Sequence, residues 1–246
     1  MKMTLKVPTL AWVLAGLLTS ASASAEIIQL DSNFDGEMDQ WHYQTEDNKI
    51  EKIEYDKNGD GNIDQIDIYD KGEKPIKVEI DRDFDGIRDQ FQIYSTDGKL
   101  TRIEKDKDFK GLIDWKEFYG PDQKLQRIEV DRNHDNAVDT RQFFNANEKL
   151  ERAEFDTDHN KSFDRWEQYG SNETLLSVAF DTNGDAKPDQ WQYFTAEKIL
   201  EKAGFDTNND GKIDRWKFYD TRGKLVRIEM DRNHDGKIDF IRRQPK

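Results

Sequence analysis

The 246-residue chain has no cysteine. That excludes disulfides, thiolate-held zinc and a lipid anchor on a cysteine. Apolar residues are scarce, at 34%, and no apolar run is long enough to span a bilayer. There are only four histidines, His42, His134, His159 and His234. They read as solvated loop or strand residues. No serine recurs beside them with an acid partner, and no glycine loop is built to cradle phosphate. Positive charge is the minority sign: 38 Lys and Arg stand against 52 Asp and Glu, for a net charge of −14. Such a surface repels nucleic acid and anionic membranes and attracts cations.

The segment from Met1 to Ala25 differs from the rest. Lys2 and Lys6 precede an apolar stretch from Val7 to Leu18, and small residues lead to Ala23-Ser24-Ala25. This is the layout of a secretory signal peptide with an A-x-A cleavage site. The expected mature chain starts at Glu26 and is still more acidic, because it loses both lysines. It is expected in the periplasm or outside the cell, with no membrane anchor.

High charge with little apolar content is also how disordered chains look, but this chain is periodic. An Asp opens a similar stretch at 31, 56, 81, 106, 131, 156, 181, 206 and 231, at one constant interval and without insertion. Counting that Asp as position 1, positions 1 and 9 are Asp in all nine copies, and position 3 is always Asp or Asn. Position 5 is Asp except at Lys110 and Asn160, and position 6 is Gly except at Asn136, Lys161 and Ala186. Such self-similarity marks a repeat architecture.

The other sixteen positions read as a β-hairpin. Position 11 (Trp41, Phe91, Trp191, Trp216) and position 13 (Tyr43, Phe118, Phe143, Phe218) are large and apolar, with polar residues between them. Positions 15–19 carry turn residues, and positions 20–25 alternate again. Pairing positions that sum to 34 sets Trp41 against Ile53, Asp67 against Lys77 and Tyr94 against Leu100. That register predicts an aromatic–aliphatic core and cross-strand ion pairs. Lys at position 19 reads as a solvated turn residue. One hairpin is marginal alone, so neighbouring repeats must stack. The expected fold is all-β: tandem 25-residue hairpins forming one domain over residues 26–246, in an open curved or superhelical meander. The alternative is a closed, propeller-like ring. The chain ends favour the open form, since Arg242, Arg243 and Pro245 are the kind of residues that blunt an edge.

The nine-residue loop, as in Asp56–Asp64, raises a charge problem. Two carboxylates about 4 Å apart repel by roughly 4 kcal/mol at an effective dielectric near 20. A simple turn needs one or two such residues; oxygens at 1, 3, 5 and 9 suggest a cation. Calcium takes oxygen ligands from alternate loop positions, with glycine at 6 for the sharp bend. Zinc prefers histidine or cysteine.

The loop resembles the D-x-D-x-D-G calcium loops of EF-hands, dockerins and integrin-type propeller blades. The Asp at position 9 between two strands is most similar to the integrin type, since position 12 lacks the EF-hand glutamate. The whole unit resembles tandem repeats of exported bacterial proteins described as EF-hand-like. Carried over position by position, the resemblance implies calcium ligands at Asp31, Asn33, Asp35 and Asp39; at Asp56, Asn58, Asp60 and Asp64; and at Asp81, Asp83, Asp85 and Asp89. It implies them also at Asp206, Asn208, Asp210 and Asp214, and at Asp231, Asn233, Asp235 and Asp239. Weaker sites are expected at Asp131, Asn133, Asp135 and Asp139, and at Asp181, Asn183, Asp185 and Asp189, which lack the glycine. In loop 106 Lys110 stands where a ligand should be, and its ammonium is expected to replace the ion; loop 156, with Asn160 and Lys161, is expected to be poor.

The functional expectation is a calcium-binding repeat protein with structural Ca²⁺, not an enzyme. It would act as a binding or scaffold protein for a protein or glycan partner in the cell envelope. The alternatives are a glycan-binding module using the aromatic stripe and a calcium-dependent enzyme.

Overall fold

The alternating segments of all nine repeats form strands. A computed structural model describes residues 26–244; the signal-peptide reading of residues 1–25 lies outside them. Eighteen strands run from β1 (Glu26–Leu30), β2 (Gln40–Gln44) and β3 (Ile50–Tyr55) to β18 (Phe240–Arg243). Each pairs antiparallel with its neighbours in the chain. Contacts between strands occur only between such neighbours, and β1 does not meet β18 among the described residues. The architecture is therefore one open, single-layer meander and not a closed ring.

In a meander, alternate connections fall at opposite ends of the strands. The nine-residue loops line one long border of the sheet and the short turns line the other. Each turn is closed by two backbone bonds, as in Thr45 N to Lys49 O at 2.8 Å and Asn48 N to Thr45 O at 2.9 Å. Position 18 is left-handed, even where it is Glu73, Glu148 or Glu173. Those side chains are engaged: each accepts from the position-20 amide of the preceding hairpin, as in Ile50 N to Glu73 Oε1 at 3.2 Å and Leu125 N to Glu148 Oε1 at 3.1 Å. The position-19 lysines are not merely solvated. Lys49 Nζ donates to Lys71 O at 2.9 Å and Lys99 Nζ to Pro121 O at 3.0 Å, joining each turn to the next.

The expected register holds beside the turn and fails further along. Tyr94 lies opposite Leu100 and Tyr219 opposite Leu225, as the 34-sum requires. All eight hairpins then slip by one residue, because position 21 (Glu51 in the first hairpin) is an extra bulge residue. Trp41 therefore faces Glu54 instead of Ile53, and Asp67 faces Val78 instead of Lys77.

A one-residue slip exchanges the faces of a strand. One face joins position 23 with positions 14, 20 and 25. It holds the buried aliphatic row Ile53, Val78, Ile128, Ala153, Val178, Ala203 and Ile228. The other face sets the aromatics of 11 and 13 against Lys or Arg at 22, except at Ser177, and Glu at 24, except at Ala179 and Gly204. There Lys52 Nζ lies 3.8 Å from the Tyr43 ring centroid, Arg127 lies 4.0 Å from Phe118, and Arg227 lies 3.8 Å from Phe218. The same cations pair along their own strand, Lys52 with Glu54 at 2.6 Å and Arg127 with Glu129 at 3.1 Å. The aromatic stripe is thus half-buried under a layer of ion pairs and is separate from the aliphatic row.

Candidate metal centre

Each nine-residue loop is shaped by its own carboxylates. In the loop from Asp56 to Asp64, residues Gly59 and Gly61 adopt left-handed φ of 75° and 87°. These two bends turn backbone N–H groups inward. The Asp56 carboxylate accepts from Gly59 N at 2.7 Å and Gly61 N at 2.8 Å. The Asp64 carboxylate accepts from Lys57 N at 2.6 Å and Asn58 N at 3.2 Å. Asn58 Oδ1 accepts from Asp60 N at 3.0 Å, and Asp60 Oδ1 from Asn62 N at 2.8 Å. Positions 1 and 9 thus form a buried floor, with Asp64 only 1% exposed. Positions 3 and 5 form an exposed rim.

The repulsion expected between these carboxylates is therefore relieved in part by the backbone. Carboxylates at 1 and 9 serve as acceptors for N–H groups that would otherwise be left without partners. The same pattern places the other sites. Asp31 accepts from Asp35 N and Gly36 N at 3.1 and 2.9 Å, with Asn33 beside Asp35 and with Asp39 under Ser32. Asp206 and Asp231 accept from Gly211 N and Gly236 N at 2.7 and 2.6 Å. Asn208 and Asn233 each donate to the carboxylate of Asp210 or Asp235 at 3.3 Å.

Loops without the glycine keep this shape. Asn136, Lys161 and Ala186 all adopt left-handed φ, at 65°, 76° and 64°. Their amides still reach Asp131, Asp156 and Asp181 at 2.9, 2.8 and 2.7 Å. A left-handed non-glycine residue costs about 1–2 kcal/mol, so the hydrogen bonds hold the bend against strain.

Position 9 is bound from several sides. Thr182 and Thr207 hydroxyls donate to Asp189 and Asp214 at 2.8 Å. Arg232 pairs with Asp239 at 2.8 Å, and Arg82 pairs with Asp89. His159 Nδ1 lies 2.9 Å from Asp139. At loop 81 it is Asp81, Asp83 and Asp85 that converge, each with an oxygen within 4.8 Å of the others. Local desolvation and the charge of Asp85 raise the Asp83 carboxyl above its usual value. At loop 156, Asp156, Asp158 and Asp164 converge within the same span. The sequence pattern disfavours that loop because of Asn160 and Lys161. The Lys161 side chain leaves its own loop: Nζ donates to Asp135 O at 3.1 Å and lies 3.5 Å from the Asp135 carboxylate. It thus crowds loop 131. In loop 106, Lys110 Nζ lies 2.6 Å from Asp108 Oδ2.

A calcium ion with oxygens at about 2.4 Å spans about 4.8 Å between opposite ligands. The Asp81, Asp83 and Asp85 oxygens fit that sphere, and the donors are carboxylates, the chemistry calcium prefers. The other loops chosen from the sequence carry Asn at position 3, and in loops 31, 56, 206 and 231 that Asn donates to the second oxygen of the position-5 carboxylate.

No protein-family model matches the chain, and no curated protein matches it. Among solved structures, a crystal structure of TcdB2-TccC3-Cdc42 aligns at 10% identity and a TM-score of 0.26, over 82% of this chain and 13% of that one. A Tc holotoxin pore structure from Photorhabdus luminescens aligns at 10% identity and a TM-score of 0.22, over 83% of this chain and 15% of that one. The chain spans a small part of those structures, and likenesses at these TM-scores carry no argument about fold or function.

Proposed function

We propose that the protein is an exported calcium-binding repeat protein in which Ca²⁺ is structural, and that it serves as a binding or scaffold protein in the cell envelope. The observation that supports this reading most is the convergence of Asp81, Asp83 and Asp85 on one calcium-sized sphere. The same loop recurs in every repeat, always on a single border of the sheet. Calcium would be held by side-chain oxygens at positions 1, 3 and 5. It would supply positive charge between carboxylates that otherwise repel one another, and so stiffen a sheet that has only one layer. Paired strands lie about 4.8 Å apart, so successive loops, two strands apart, would set cations about 10 Å from one another. This stiffened surface, with aromatics under ion pairs on one face, suits an extended protein or glycan partner.

Differential scanning calorimetry of the purified protein tests the reading. Binding of several ions, with affinities on the order of 10⁻⁴–10⁻³ M, is expected for an extracellular module. Millimolar Ca²⁺ should raise the melting temperature above that in EDTA, because ligands of the folded state stabilise it. An identical melting temperature in both would reject the proposal.

A further inference from the structure

We infer a second kind of metal site, for a zinc-class divalent ion, formed across two adjacent loops by Asp108, Asp114 and His134. One ligand atom from each of the three lies within 4.8 Å of the other two. Asp108 and Asp114 occupy positions 3 and 9 of loop 106, and His134 occupies position 4 of the next loop. His134 Nε2 sits 3.5 Å from Asp108 Oδ1. Two ligands of a tetrahedral zinc, each about 2.0–2.1 Å from it, lie about 3.3 Å apart. The observed separation is close to that value.

A second observation points to a ligand. His134 Nε2 is sealed from solvent and has no hydrogen-bond partner. A buried ring nitrogen without a partner is costly, and this one lies beside the Asp108 carboxylate. The two other histidines at position 4 behave differently. His159 and His234 are 51% and 37% exposed, and each meets one carboxylate through Nδ1. His134 is 13% exposed and approaches Asp108 through Nε2, with a ligand atom of Asp114 within the same 4.8 Å cluster.

The donor set selects the class of ion. Calcium takes oxygen ligands, whereas an imidazole with carboxylates suits zinc and its neighbours. Loop 106 is also the loop whose calcium pattern is broken, by Lys110. That lysine holds Asp108 Oδ2 and leaves Oδ1 toward His134. Its ammonium places a positive charge beside the site and opposes a second cation. Asp108 is 33% exposed, which gives an ion a path from solvent. Zinc here does not require calcium in the other loops.

The test is titration of the purified protein with ZnCl₂ in saturating Ca²⁺, followed by calorimetry. One zinc per chain should bind. His134→Ala should weaken it at least tenfold, whereas His159→Ala and His234→Ala should leave it unchanged. Lys110→Ala should tighten it severalfold. Absence of zinc binding in calcium, or unchanged affinity in His134→Ala, would overturn the site. If His134→Ala does not fold by circular dichroism, Lys110→Ala decides, and unaltered affinity there overturns the site. A failure of the calcium reading would show separately, as no calcium heat before zinc is added.

Discussion

Asp81 donates its backbone N–H to the carbonyl oxygen of Asp64 at 2.7 Å, joining the first residue of one loop to the last of the loop before it. The same bond links Asp56 to Asp39 at 3.0 Å, Asp106 to Asp89 at 2.8 Å and Asp231 to Asp214 at 2.8 Å. Asp64 also donates its own N–H to Tyr55 O at 2.7 Å. The ladder of the sheet therefore continues through the loops, and position 9 is where strand, loop and neighbouring loop meet.

Removing that junction should cost stability even without metal. In Asp64→Ala the amides of Lys57 and Asn58 lose their acceptor in a site almost closed to water. A loss of about 1–3 kcal/mol is expected. Asp60→Ala, on the exposed rim, should cost less than about 1 kcal/mol. Urea denaturation of both variants in EDTA checks this, and equal losses would refute the division into floor and rim.

Ion stoichiometry should follow the rim. Asp60→Ala removes a position-5 carboxylate from a complete loop and should lower the number of bound calcium ions by about one. Lys110→Ala removes no ligand and should leave the calcium number unchanged. Equilibrium dialysis with radioactive calcium distinguishes the outcomes, and equal loss in both variants would mean the loops do not bind as proposed.

The repeat, the hairpins, the loop bends and the open ends are legible in the sequence because each leaves a local mark. Left-handed bends ask for Gly or Asn, and a half-buried strand alternates. The bulge leaves no such mark. Glu51, Thr101 and Gln126 look like ordinary strand residues, and only the structure shows that each is skipped in the pairing. Without the bulge, Trp41 is set opposite the wrong residue and two faces merge into one. Lys49 and Lys99 read as solvated for a related reason: their partners are carbonyls in the next turn, which residue type cannot reveal. His134 reads as a loop residue pointing outward. Its one sequence signal is an Asp at position 3 of the preceding loop, and Asp158 shows that this residue is not confined to loop 106.

The cation-covered face should contribute by pairs. Arg127 stacks on Phe118 across the strands, 4.0 Å from the ring centroid. A double-mutant cycle with Phe118→Leu and Arg127→Met should give a coupling of about 0.5–1 kcal/mol, the range for a cation–π pair near solvent. Zero coupling by chemical denaturation would show that the arginine acts only through Glu129.

Glu117 should carry part of the acid sensitivity. Burial alone would raise its carboxyl, but Lys105 Nζ at 2.8 Å, the Tyr119 hydroxyl at 2.7 Å and the Trp115 indole N–H at 2.8 Å outweigh it, and the net shift is downward. A carboxyl lowered in the folded state stabilises fully above its unfolded pKa of about 4.3. That contribution is lost as pH falls through the lower folded value. Glu117→Gln should therefore be less stable than wild type at pH 7, by about 1 kcal/mol given solvent screening on a one-layer sheet. The gap should narrow as pH falls below the unfolded value. Denaturation series in constant calcium test this, and a gap that does not narrow on acidification would exclude the charge as its cause.

The open meander should be visible in solution. Eighteen strands spaced by about 4.8 Å extend over about 80 Å if the sheet is not folded back. Nothing among the described residues folds it back, because strands touch only their chain neighbours. A compact domain of this length has a radius of gyration of about 17 Å. Small-angle scattering should give a clearly larger value and a distance distribution with a long tail. Salt should change it little, since the ladder is held by backbone bonds, whereas calcium removal should broaden it if the loop ions stiffen the border. A radius as small as that of the compact domain would mean that the two borders or the two ends meet. The terminal strands bear on that outcome: Ile27 on β1 and Ile241 on β18 are 51% and 54% exposed. Ring closure would cover both, so protection of their amides from hydrogen exchange would be the second sign against the open form.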